Sequence, residues 1–155
     1  QSGFDDAKWI PATVPGTVLS SYLAIGAIPH PWFGDQMSQI SEDFFSHHDF
    51  WYRDEFVVPK TDAGRRLWLN FDGINWKADV FFNSAKVGRI DGAFIRGRFD
   101  VTELAEPGST NCVAVLVHHV AHPEPGAKKV KHKTLGAPTT NGDLLGERWT
   151  WDGSA

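Results

Sequence analysis

The sequence predicts an all-β fold, an antiparallel β-sandwich of jelly-roll type with one short helix. Three observations point there. Apolar residues alternate at period two in several short runs, most clearly where Leu67, Leu69 and Phe71 alternate with Trp68, Asn70 and Asp72. Turn residues separate those runs, with 15 Gly and 9 Pro among 155 residues, and no βαβ rhythm of a parallel sheet intervenes. Eleven Phe and 7 Trp are a heavy load of flat rings for this length, suited to a sheet core or to a ring-lined ligand face. At 41% hydrophobic and 22% charged, the chain has the composition of a single globular domain over 1–155, and disorder, coiled coil and collagen are excluded.

The elements follow in order. Lys8-Trp9-Ile10-Pro11 is a short extended piece, and Pro15-Gly16 makes a turn. Thr17 caps a helix of about two turns, because Val18, Leu19, Tyr22 and Leu23 recur at helical spacing before Gly26 stops it. Residues 27–48 keep no period, yet they hold Trp32, Phe33, Phe44 and Phe45 beside Pro29, Pro31, Gly34 and Asp35, a loop of unusual apolar content. A long strand is expected at 49–58, closed by Pro59, which removes a ladder donor. Residues 66–72 form the alternating strand, and 78–82 and 86–90 form a hairpin joined through Asn83-Ser84-Ala85. A short strand at 98–101 precedes a turn at Thr102-Glu103-Leu104 and the Pro107-Gly108 break. Residues 111–120 carry apolar side chains on both alternating faces, which predicts a strand covered on both sides near the middle of the sandwich. After His122 comes a second long loop, rich in Gly, Pro and Lys.

Charge and cysteine usage narrow the function classes. Fifteen Lys+Arg against 19 Asp+Glu give a net charge of -4, so no positive field exists for nucleic acid. No apolar stretch approaches the roughly 20 residues of a membrane helix. Cys112 is the single cysteine, which leaves neither an intramolecular disulfide nor a cysteine metal cluster and assigns it to core packing. His118, His119 and His122 are a suggestive start for zinc, but consecutive strand residues diverge, so a structural role is expected, and no metal or cofactor is called for. Asp54 and Glu55 point to opposite faces of a strand and make no catalytic dyad. Lys128, Lys129, Lys131 and Lys133 form a basic run that reads as a solvated loop face or a contact for an acidic neighbour.

The run 69–80, Leu-Asn-Phe-Asp-Gly-Ile-Asn-Trp-Lys-Ala-Asp-Val, continues through Asn83, Val87-Gly88, Gly92-Ala93-Phe94 and Phe99-Asp100-Val101-Thr102. In that order it resembles the sugar-binding N-terminal domain of family two glycoside hydrolases. Val14-Pro15-Gly16-Thr17-Val18, the run 29–35 (Pro-His-Pro-Trp-Phe-Gly-Asp), and Phe50-Trp51-Tyr52-Arg53 with Phe56 resemble the β-mannosidase and exo-β-glucosaminidase branch. The resemblance implies a galactose-binding-like jelly roll beside a catalytic TIM barrel, lending loop residues to its pocket for a terminal β-linked sugar. It places the paired catalytic glutamates on that barrel, so the chain is expected to be catalytically silent alone. It further implies a piece of a larger hydrolase and a periplasmic or extracellular location.

Trp32 and Asp35 are the leading sugar-contacting candidates, since a pyranose C–H face stacks on a ring while a carboxylate accepts from adjacent hydroxyls. The alternative for Trp32 and Phe33 is to fold back as cover. Trp151 and Asp152 stand where the resemblance would place a Trp-Asp pair that contacts the terminal sugar, and Asn141 and Asp143 lie in a loop suited to binding. Asn75 and Trp76 read as turn and packing residues. Two other function classes stay open: a free-standing carbohydrate-binding module, and a purely structural sandwich that stabilises a barrel or an oligomer.

Overall fold

The computed structural model describes residues 4–41, 44–45, 47–75, 77–92 and 94–119. The chain divides into two compact units, Gln1–Trp9 with Asp49–His118, and Ile10–His48 with His119–Ala155.

The first unit is all β. Its strands are β1 (Phe50–Val57), β2 (Trp68–Phe71), β3 (Lys77–Phe82), β4 (Ala85–Asp91), β5 (Gly97–Asp100) and β6 (Thr110–Val117). They pair antiparallel in a four-stranded sheet, β1-β6-β3-β4, and a two-stranded sheet, β2-β5. Alternation does the sorting. Tyr52, Val115, Val80 and Gly88 lie in one row across the larger sheet. On that face Ala78, Val80, Ile90 and Val115 form the core, with Leu69, Phe71 and Phe99 of the smaller sheet packed against it. Gly88 is required there, because a Cβ at this position would lie 2.2 Å from the Phe99 ring. The two-sided apolar pattern at 111–120 becomes β6, an interior strand flanked by β1 and β3. On the opposite face Arg53 is held by Asp6 and Glu55.

The β3-β4 connection is tighter than the three-residue link expected from the sequence. Only Asn83 and Ser84 form the turn, both at positive φ (44° and 73°), and Ala85 already opens β4. A two-residue turn of this kind matches the twist of its flanking strands, and Asn tolerates the left-handed region. Asn83 has a second task. Its Nδ2 donates to the Leu104 carbonyl and to Asn111 Oδ1, and its Oδ1 accepts from the Cys112 amide. Asn111 is fully buried; its Nδ2 donates to the Glu106 and Ser109 carbonyls while Oδ1 also accepts from the Glu106 amide. This closed polar network pins the 101–110 connection to the hairpin.

The second unit is built on α1 (Val18–Ala24). Thr17 caps it as expected, in a capping box in which Thr17 accepts from the Ser20 amide and Ser20 Oγ accepts from the Thr17 amide. The Val14–Pro15 peptide is cis, and a Cβ on Gly16 would lie 2.7 Å from the Thr13 carbonyl, so the turn closes tightly before the helix. Leu19 of α1 and Ile40 are buried together, flanked by Ile28, Met37 and Phe45. A 3-10 helix spans Gln36–Gln39. Much of the apolar content of 27–48 is therefore consumed in holding that segment to the helix. Tyr22 meets the rings of Phe44 and Phe45 edge-on at 5.4 and 5.6 Å.

Candidate functional site

Residues 30–38 form a chain of short turns. The Phe33 amide donates to the His30 carbonyl (3.1 Å), Gln36 to Phe33 (3.1 Å) and Ser38 to Asp35 (3.0 Å), while Gly34 takes φ +56°. Pro31 is buried, as is Ile40 just after this segment. Successive turns satisfy the backbone locally and leave the side chains outward. Trp32 and Phe33 are 72% and 71% exposed, so neither ring serves as buried cover. His30 stands edge-on to both, at 5.4 and 6.1 Å. The ring pair is thus braced from one side, a role for His30 that its sequence position two residues before Trp32 did not announce.

Asp35 completes the set. It occupies the residue before the 3-10 helix but makes no side-chain capping bond, and Ser38 Oγ donates to its backbone carbonyl instead (2.6 Å). The carboxylate is exposed. Two outward rings and a carboxylate within four residues set an exposed apolar surface beside a hydrogen-bond acceptor. Trp151, Asp152, Asn141, Asp143, Trp76, His122 and the lysine run at 128–133 lie outside the described residues.

Other polar clusters lie in the sandwich unit. Asp100 accepts from the Thr102 hydroxyl and amide and meets Arg66; the Thr102 bonds above all hold its carboxyl below the usual range. Arg66 and Arg98 both lie against the Trp68 ring, at 5.5 and 4.2 Å. Burial pushes the Tyr52 hydroxyl up. The two ring nitrogens of His118 face Asp49 and Asp79, and among the described residues no group of three or more ligating side chains converges. Cys112 is buried and free.

A two-sheet antiparallel sandwich with an exposed aromatic loop defines a galactose-binding-like class of domain. The chain belongs to the glycosyl hydrolase 2 galactose-binding domain-like family, which matches residues 1–151. It is 36% identical over 120 residues to a mannosylglycoprotein endo-β-mannosidase of Lilium longiflorum, covering 76% of this chain. It is also 36% identical over 118 residues to an exo-β-D-glucosaminidase of Streptomyces avermitilis, covering 74% of this chain. A β-mannosidase of Rattus norvegicus is 32% identical over 98 residues, which cover 63% of this chain and 11% of that protein. The chain spans 12% and 13% of the length of the first two relatives.

Proposed function

We propose that this chain is the non-catalytic sugar-binding part of a longer β-glycosidase, lending Trp32 and Asp35 to the rim of a pocket whose catalytic carboxylates lie on a barrel domain elsewhere in that protein. The observation that carries this reading is the outward display of Trp32 and Phe33 beside an Asp35 whose side chain makes no capping bond, in a segment whose Tyr22, Phe44 and Phe45 rings are partly buried against one another. Large rings left in water are unfavourable unless a partner covers them. Family membership and the small share of each relative that the chain spans support a composite site. Mannose, glucosamine, galactose and glucuronic acid are the sugars to test, and Trp151 and Asp152 remain candidates for the same pocket.

The test is a tryptophan-fluorescence titration of the 155-residue chain, alongside the longer hydrolase that contains it, with each of the four sugars. The composite reading expects saturation only in the longer protein, weakened there by Trp32→Ala. Saturation in the isolated chain that Trp32→Ala abolishes would make it an autonomous carbohydrate-binding module. Trp32→Ala that leaves sugar affinity untouched in both proteins and lowers only the melting temperature would make it a structural sandwich.

A further inference from the structure

Two Asp-Gly pairs lie in the sandwich unit, Asp72-Gly73 just after β2 and Asp91-Gly92 at the end of β4, and the fold treats them differently. Asp72 stands beyond the last pair of its ladder, Phe71↔Gly97, and its side chain is 98% exposed. Arg96 Nε lies 3.5 Å from its carboxylate, but that side chain is 82% exposed as well, so the pair is too wet to fix the carboxylate in place. The Gly73 amide donates no hydrogen bond to any of the described residues. A Cβ on Gly73 would meet nothing within 4 Å, so the space around this peptide is open. Asp91, by contrast, is the last residue of β4 and pairs with Lys77 across the ladder. Its carboxylate oxygens face Lys77 at 3.7 Å and Arg89 at 3.4 Å, and Ile95 occupies the space over Gly92, 2.5 Å from where a Cβ would lie.

An aspartate followed by glycine is open to attack by the next backbone nitrogen, because glycine has no Cβ to obstruct the approach and leaves the backbone free to turn. We propose that Asp72-Gly73 is a site of spontaneous aspartate isomerisation, and that its place in the ladder protects Asp91-Gly92. The Gly73 nitrogen bonds to Asp72 Cγ, a carboxyl oxygen leaves as water together with the amide proton, and a succinimide ring closes. Water then reopens the ring. Cleavage between the nitrogen and Cγ restores aspartate. Cleavage between the nitrogen and the main-chain carbonyl carbon gives isoaspartate, in which the chain runs through Cγ and the former main-chain carbonyl is a free carboxylate. One water leaves and one returns, so no further reactant is needed. The free amide, the open space and the unanchored carboxylate at Asp72 permit this approach; at Asp91 the strand fixes the backbone and two cations hold the carboxylate. The change bears on the fold, because Phe71 and Ile74 both pack against the sandwich core and isoaspartate adds a main-chain carbon between those two anchors.

The experiment ages the folded 155-residue chain for several weeks at neutral pH and physiological temperature. Aliquots are digested with a protease that cuts before aspartate but not before isoaspartate, and the peptides are counted by mass spectrometry. Missed cleavage at residue 72 should accumulate about tenfold faster than at residue 91, at unchanged peptide mass and after a transient species lighter by one water. In chain unfolded with guanidinium the two rates should converge, since the ladder no longer separates the sites. Gly73→Ala, for which the structure has room, should slow the reaction at residue 72 and leave residue 91 as it was. Equal rates at the two sites in the folded chain, or a faster one at residue 91, would overturn the proposal. That comparison is internal to the wild-type chain, so a Gly73→Ala chain that failed to fold would leave the test intact.

Discussion

The two units hold their aromatic side chains by different means, although each also leaves rings in solvent, Phe94 of the sandwich unit at 95% exposure. In the sandwich, Phe82 is 1% exposed and Phe99 reaches into the space that Gly88 leaves open. In the segment 10–48, Tyr22, Phe44 and Phe45 interlock, while Trp32 and Phe33 stand in solvent. The sandwich is held by alternation, clearest in β3, where Ala78, Val80 and Phe82 are buried and the residues between them are not. The loop is held by a helix cap, a small apolar pair at Leu19 and Ile40, and a series of turns.

Truncating a ring on each side sharpens that contrast. Phe82→Ala should cost about 3–5 kcal/mol, because it empties a fully buried position, and urea unfolding reads the loss directly. Asn111→Ala should follow at about 3 kcal/mol. It strands the Glu106 amide and one Asn83 donor in the interior, and exchange protection of the 101–110 connection should fall with it. Thr17→Ala should cost about 1 kcal/mol through the lost cap, with the effect confined to amides of α1.

Acid should act on the sandwich through Asp79. The Lys86 hydrogen bond, with further help from the Lys86 charge and from His118, holds this carboxyl below its ordinary value. A depressed carboxylate contributes stability that is complete above its unfolded pKa of about 3.9 and is lost as pH falls through the folded value. The stability gap between wild type and Asp79→Asn should therefore close below about pH 4, which denaturant melts at several pH values would follow. Trp32→Ala is the smallest expected change, within about 0.5 kcal/mol of wild type, since the ring is exposed. A large loss there would break the contrast between the units.

Much of the scaffold was legible in the sequence because period-two alternation is a local signal. Leu69 and Phe71 announced β2, which is shorter at both ends than the expected 66–72, and Thr17 with Gly26 bracketed α1. The tight Asn83-Ser84 turn was blurred, because whether Ala85 belongs to the turn or the strand depends on backbone φ rather than on residue type. The Asn83–Asn111 network and the Asp49–His118–Asp79 bridge were not readable, since each depends on strand register between residues distant in sequence. Trp32 and Asp35 were picked out by chemistry and by resemblance. Their outward display needed the structure, because hydrophobicity alone does not separate a packed ring from a presented one.

The most direct measurement of the central claim is steady-state kinetics of the longer hydrolase proposed to carry this domain, comparing wild type with Trp32→Ala and Asp35→Asn on a β-linked glycoside, with melting temperatures measured in parallel. The account predicts a rise in KM of about tenfold for Trp32→Ala, equivalent to about 1.4 kcal/mol of lost sugar contact, a smaller rise for Asp35→Asn, and unchanged melting temperatures. An unchanged KM in both variants would contradict it and assign this loop a purely structural role.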